Sequence, residues 1–276
     1  MCFSSAVVQG IKEAGDEQAQ LHSVGRRLYR RVKTDSKGWP HVWFRGEPSD
    51  VNTLLLPKLL RPRKDGTKHE ENKLLQAFRK RAPFFAAASC PNREAVDEWL
   101  FLAQHVGLPT RLLDWSESAL VGLHFALRED KPAVVWMLNP MDLNRLSVAD
   151  PSEVTDEFPL TWIGPTLTTP AGETRINLGS VNIHAAWTHD AVGSELPVAI
   201  QPTNIHSRIS VQRSGFTVHG KNKSSLLDQV PQLLTRYDIK PKDRVPMQQH
   251  LYLLGISHST VWPDLDGLTK ELADHC

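Results

Sequence analysis

The chain has 276 residues, 40% of them hydrophobic and 23% charged, with a net charge of +1 and three cysteines. That is the profile of an ordinary globular protein with room for a sizeable core. It excludes a membrane span, because no apolar run approaches the roughly 20 residues one requires. It excludes a zinc–thiolate centre too, because Cys2, Cys90 and Cys276 are scattered and no CxxC pair exists. The opening MCFSSAVVQGIKEAGDE has no secretory pattern, and the cysteine usage fits a reducing compartment, so a cytoplasmic protein is expected.

In chain order, residues 5–33 read as one or two helices, an N-terminal appendage (1–36) to a main body over 37–276. Gly38–Pro40 is a turn, and HVWFRGE reads as a short buried strand of apolar β-formers around one charge. An arginine there is costly unless it is paired, with Asp114 as one partner to expect, or holds a ligand. Gly46 leaves the backbone open to close approach. LLLPKLLRPRKDG is loop-rich, and HEENKLLQAFRKRAPFF is an amphipathic helix ended by Pro83. From Lys58 to Arg81 nine Lys/Arg face only Asp65, Glu70 and Glu71, which marks either a solvated helix or a nucleic-acid face.

The stretch from Gln104 to Leu127, QHVGLPTRLLDWSESALVGLHFAL, gathers Gln104, His105, Thr110, Arg111, Asp114 and Ser116 between two apolar helical patterns. Upstream, Ala95, Trp99, Leu102 and Val106 share one helical face; downstream, Ala119, Leu120, Leu123 and Leu127 do. Gly107 and Pro109 break the chain between them, and Ser116 or Asp114 is placed to cap the second helix. Polar groups drawn into a core must bond to the protein or to a ligand.

AVVWMLN reads as a strand, and residues 140–197 as a long irregular excursion with Trp162 and Trp187 in it. PVAIQP is a further strand, and SRISVQRSGFTVHG alternates like two strands joined at Ser214-Gly215. KNKSSLLDQVPQLLTRY and VPMQQHLYLLGI read as helices, and STVWPDLDGLTKELADH as strand, turn and helix. Strands without βαβ alternation, and no GxGxxG or GxxxxGK[ST], give an α+β fold rather than a doubly wound one.

Several chemistries are missing: there is no GxSxG and no HExxH, and Ser116 and Cys90 lack an activating context. His105, Asp114, His124, Asp264 and Asp266 are metal-ligand types, which would suit a metal-dependent hydrolase or nuclease. Their spacing is not diagnostic, and Asp264 and Asp266 read first as caps and turn formers. No metal is assigned.

WFRGE at 43–47, the QHVGLPTRLLDW block from Gln104, RISVQRSGFTVH at 208–219 and LGISHSTVWPDLDGLTKEL at 254–272 resemble successive signatures of the FRG domain, named for Phe-Arg-Gly, here Phe44-Arg45-Gly46. The same blocks are distantly similar to the three-part layout of ADP-ribosyltransferases. That resemblance implies two small mixed or antiparallel sheets around a cleft, with helices outside. It implies NAD as substrate, held by Phe44, Arg45, Gly46, His105, Arg111, Trp115, Ser116 and Phe216. The guanidinium of Arg45 would meet a phosphate or ribose and the Gly46 backbone the nicotinamide amide. Gln212 stands where such enzymes carry a glutamate, which leaves Asp114 as the carboxylate; Asp114 and Gln212 are the expected catalytic pair. The implied activity is transfer of ADP-ribose to a macromolecule, RNA or DNA docking on 58–81, as a toxin or antiviral effector would do. The alternatives are a non-catalytic ligand- or partner-binding module and the metal-dependent hydrolase.

Overall fold

A computed structural model describes residues 26–50, 53–86, 90–93, 95–147, 167–168, 174–175, 195–202 and 207–275. Helix α1 covers 26–35, followed by strand β1 (Trp43–Pro48). Helices α2 (Glu71–Arg81), α3 (Pro83–Ala86) and α4 (Val96–His105) lead to β2 (Leu112–Ser116). Then come α5 (Ala119–Ala126), β3 (Ala133–Leu138) and α6 (Pro140–Ser147). The two-residue strands β4 (Leu167–Thr168) and β5 (Thr174–Arg175) pair as a separate ribbon. After β6 (Val198–Ile200) follow α7 (Ser207–Val211), β7 (Ser214–Val218), α8 (Leu226–Gln229) and β8 (Leu234–Ile239). Helices α9 (Pro241–Leu253), α10 (His258–Val261) and α11 (Leu265–His275) close the chain.

The architecture is α+β, built on one six-stranded antiparallel sheet in the order β6-β7-β2-β1-β3-β8. Apart from the β4–β5 ribbon, the described residues therefore form a single sheet where two were expected. Its two halves are nevertheless unequally joined. β1 and β3 share six registered pairs and β2 and β7 five, whereas β1 meets β2 at the single pair Phe44–Ser116. The halves also interleave in sequence, because the chain alternates between them from β1 to β2 to β3.

Strand alternation divides the core. On one face Leu112, Phe216, Val218, Val198 and Ile200 pack under α2 and α4, while Phe44, Val135, Met137 and Tyr237 pack under α5 and α9. On the other face Trp43, Leu113, Trp115, Trp136 and Leu138 form one cluster with Leu55, Leu143 and Leu226. Helix α1 joins the α5–α9 side through Leu28 and Val32, and the Tyr237 hydroxyl donates to Asp35 Oδ2 at 2.8 Å. Helix α5 lies directly on β1. A Cβ added at Gly46 would stand 1.9 Å from Gly122 O, and one at Gly122 would stand 2.8 Å from Phe44 Cβ. The glycine of the Phe-Arg-Gly triplet is thus where a helix crosses a strand at backbone contact.

Several elements differ from the sequence reading. Residues 207–211 are helical, so that block supplies one strand, β7, instead of two. LTRYDI is strand β8, freed from the preceding helical pattern by a 3₁₀ turn at Pro231–Leu233. His258–Val261 is a helix because Ser257 and Thr260 form a capping box there. Pro83 opens α3, while α2 ends at Arg81. The α5 cap is Ser118, whose side chain accepts from Val121 N, and not Ser116 or Asp114. Val106 and Leu120 are exposed, so the buried faces of α4 and α5 are narrower than the periodicity suggests. The expected helix within 5–25, together with Trp162 and Trp187, lies outside the described residues. No helix among the described residues is long and apolar enough to cross a membrane.

Candidate functional site

Where β1 and β2 part beyond Phe44–Ser116, β2 loses a backbone partner, and a side chain takes its place. Arg45 Nη1 donates to Asp114 O at 2.8 Å, its Nε donates to Glu47 Oε2 at 3.2 Å, and Nη1 lies 3.8 Å from Asp114 Oδ2. Buried Glu47 uses its other oxygen to accept from Leu55 N at 2.9 Å. Leu55 is fully buried with φ +51°, a left-handed conformation rare for a leucine, so the turn after β1 is held against local preference. From the far side, Thr110 Oγ1 donates to Gln104 Oε1, and Gln104 Nε2 donates to Asp114 Oδ2 at 2.8 Å. The result is one continuous polar chain, Thr110–Gln104–Asp114–Arg45–Glu47, laid across the split.

This split opens into a cleft of about 490 Å³. Phe44, Arg45, Gly46, His105, Asp114, Trp115, Ser116, Gln212 and Phe216 all line it, so the structure brings together nine of the ten residues singled out from sequence. The tenth, Arg111, is not in the lining. Its Nε donates to Glu71 Oε1 at 2.8 Å, its Nη2 pairs with Glu71 Oε2, and its Nη1 donates to His219 O at 3.2 Å. Arg111 fastens α2 to the ends of β2 and β7.

The lining residues differ in what they leave free. Asp114 is the open group, its side chain 54% exposed. Ser116 is spent: its Oγ donates to Gln212 O at 2.7 Å and accepts from Ser118 N at 3.0 Å. Gln212 Nε2 donates to Val261 O at 3.0 Å, tying the bend before β7 to α10. Phe216 stacks on Phe101 with ring centroids 5.5 Å apart, and the Trp115 indole is buried on the opposite face, donating to Thr217 Oγ1 at 3.1 Å. Both rings are core.

Arg61 is one of the cleft residues that sequence reasoning missed, along with Glu47, Arg128, Glu129 and Lys131. It sits in the basic run, where a solvated stem is the natural reading, yet it lines the cleft. Its Nε donates to Leu56 O at 2.9 Å, and its terminal nitrogens have no hydrogen-bond acceptor among the described residues. Burial first, then the nearby Arg45 charge, lower its pKa, while Glu47 and Asp114 oppose the shift. No local signal separates Arg61 from its basic neighbours; its bond to Leu56 O accompanies its place in the cleft. Arg128, Glu129 and Lys131 complete the rim. Glu129 and Lys131 pair at 2.6 Å, Arg128 lies over the Trp262 ring at 4.9 Å, and buried Arg244 holds this loop through the carbonyls of Leu127, Glu129 and Lys131. Four cations, Arg45, Arg61, Arg128 and Lys131, thus face three carboxylates, Glu47, Asp114 and Glu129.

The metal-ligand types named from sequence are dispersed. Asp264 Oδ1 accepts from Gly267 N at 2.8 Å as a cap on α11, and His124 packs against His258 and Trp262 at 5.0 and 5.4 Å between ring centroids. Burial lowers the His124 pKa to about 4, with the His258 and Arg128 charges adding to the shift. Among the described residues no three of His, Cys, Asp or Glu converge on a point where one ion would sit.

The fold and site define a mixed α+β protein whose polar cleft sits at a partial split in an antiparallel sheet. Residues 40–134 match the family model of the FRG domain. No curated protein and no solved structure matches the chain. The matched segment holds β1, β2 and α5, and with them Phe44, Arg45, Gly46, Arg61, His105 and Asp114.

Proposed function

We propose that the cleft binds NAD and that the FRG domain transfers ADP-ribose from it to a macromolecule. The observation that carries this reading is Arg61, a partly buried guanidinium with unspent donors beside Arg45 and opposite the open carboxylate of Asp114. Arg45 is already paired with Glu47, which leaves Arg61 as the guanidinium with donors to offer, and a guanidinium suits the oxygens of a diphosphate. A volume of about 490 Å³ falls within the range of cofactor-sized sites. Asp114 is placed to steady positive charge developing on a ribose, held in position by Gln104 and Arg45. In such a transfer the glycosidic bond to nicotinamide breaks and its electron pair leaves with neutral nicotinamide. The acceptor's nucleophile bonds the ribose C1′ and gives up its proton to Asp114 or solvent. Gln212 fixes the floor through Ser116 and Val261. The basic residues of 58–81 supply a face on which a nucleic-acid acceptor would lie, which fits an effector acting on RNA or DNA.

The test is nicotinamide release from NAD by the purified protein, with and without added RNA, DNA or cell lysate, beside Asp114→Asn and Arg61→Ala. Release should require a macromolecule and fall at least about a hundredfold in Asp114→Asn. Absence of release under every condition sinks the transferase reading. A second reading, a binding module without catalysis, draws on the way Arg45 is already satisfied within the protein by Glu47 and Asp114. NAD-dependent thermal stabilisation that Arg61→Ala abolishes, without release, would identify it.

A further inference from the structure

Helix α2 ends in Arg79, Lys80 and Arg81, and the chain then turns through Pro83 into α3, where Phe84 and Phe85 are 86% and 88% exposed. They are the two most exposed large hydrophobic side chains among the described residues. Single exposed apolar residues are common; two adjacent phenyl rings in open solvent are not. The rest of the helix is already committed, with Leu75 and Phe78 packed into the core under the sheet.

The charges beside these rings are unbalanced. The acidic groups of the segment are spent: Asp65 lies 3.7 Å from Arg63, Glu70 lies 2.7 Å from Lys73, and Glu71 is held by Arg111. Arg79 donates to the Arg93 carbonyl. Lys64, Lys68, Lys80 and Arg81 have no carboxylate partner among the described residues. A helix of 11 residues spans roughly 16 Å, the length of a few nucleotides. It separates the ring pair from the loop that carries Lys64 and Lys68 and begins at Arg61, in the cleft.

We propose that this tip is a docking surface for single-stranded nucleic acid. Phe84 and Phe85 stack on successive bases, and Lys80, Arg81, Lys68 and Lys64 neutralise phosphates along α2 toward the cleft. Base stacking needs ring faces open to solvent, and phosphate binding needs uncompensated cations close by; both are present at one helix end. An anionic membrane would call for an apolar face along a helix lying in the interface, but the apolar face of α2 is inside the protein. The choice of nucleic acid rests on the acceptor reading above, and binding is measured without NAD so that the two can fail separately.

The experiment is fluorescence anisotropy of a labelled single-stranded oligonucleotide of about 12 nucleotides with the full chain, over a range of salt. The variants are Phe84→Leu and Phe85→Leu, which keep an apolar side chain and remove the ring, and Lys80→Gln with Arg81→Gln. Each Leu variant should weaken binding by about tenfold. The double Gln variant should flatten the slope of log affinity against log salt by about 1.4, or about 0.7 for each phosphate no longer neutralised. No binding at low salt, or Leu variants that bind like the parent, would overturn the proposal. Capture on phosphatidylserine vesicles that the Leu variants retain would overturn it in favour of a lipid surface. Oligonucleotide binding without nicotinamide release leaves the docking surface standing and removes the transferase; release without oligonucleotide binding does the reverse.

Discussion

On one side β1 is closed against β3 through six registered pairs; on the other it meets β2 at one. The closed seam is satisfied by backbone alone, and α5 seals it with Gly46 and Gly122 in contact. On the open seam the Asp114 carbonyl accepts from the Arg45 guanidinium instead, and Glu47, Gln104 and Thr110 hold Arg45 and Asp114 in place through side-chain bonds. The polar cleft and the interrupted strand pairing are therefore one feature. The side chains that patch the sheet are also those that offer charge to a ligand.

The two seams should respond to substitution with losses of different size. The largest effect is expected from Gly46→Ala on the closed side. Its Cβ meets a backbone oxygen that no rotamer change can move, so the loss should exceed about 4 kcal/mol and be seen as failure to fold. On the open side Glu47→Ala strands the Arg45 Nε and the buried Leu55 amide together, and urea denaturation should report a loss of about 3 kcal/mol. Arg45→Ala on top of it should cost less than the sum of the two single changes.

Acid should act next. Burial, and after it the Arg111 charge, push the His219 pKa down to about 3, against a smaller opposing pull from the Ser224 backbone. The folded state therefore refuses a proton that the unfolded chain binds below pH 6.5. Stability should be intact above that pH and fall by up to about 1.4 kcal/mol per unit as pH drops toward about 3. His124, lowered to about 4, adds to the same slope over its upper part. Denaturation midpoints of His219→Gln should show a shallower acid slope by about one proton; an unchanged slope would remove His219 from the account. Smallest of all is Asp114→Asn, whose side chain is half exposed and keeps an oxygen for Gln104. It should change stability by less than about 1 kcal/mol while abolishing nicotinamide release, a separation that an Asp114 held only for structure would not show.

Much of the fold is legible in the sequence, for identifiable reasons. β1 and β3 are runs of β-formers that no helix pattern competes with, and Gly107 and Pro109 mark the break before β2, although the cap that follows it is Ser118 and not Ser116 or Asp114. Nine cleft residues stand out because they cluster in a few short blocks. β8 is hidden because LLDQVPQLL carries helical spacing into it, and α10 because Thr and Val in STV favour strands until Ser257 is seen to cap them. The unequal seams are not legible. Registry between β1 and β2 depends on where Arg45 finds its acceptor, which is a contact across 69 positions. Arg61 is illegible for a similar reason, since nothing in the basic run marks the cation that enters the cleft and bonds Leu56 O.

The interleaving of the two halves bears on how this domain can be moved between proteins. The family match ends at residue 134, two residues into β3, and so contains β1 and β2 but none of β6, β7 or β8. The stretch that carries the family signature is therefore smaller than the stretch that folds. A graft of 40–134 alone would deliver Arg45 and Asp114 with strand edges bare on both sides. Recombination that preserves the cleft has to carry the chain past β8 and Arg244 to Val261, whose carbonyl holds Gln212.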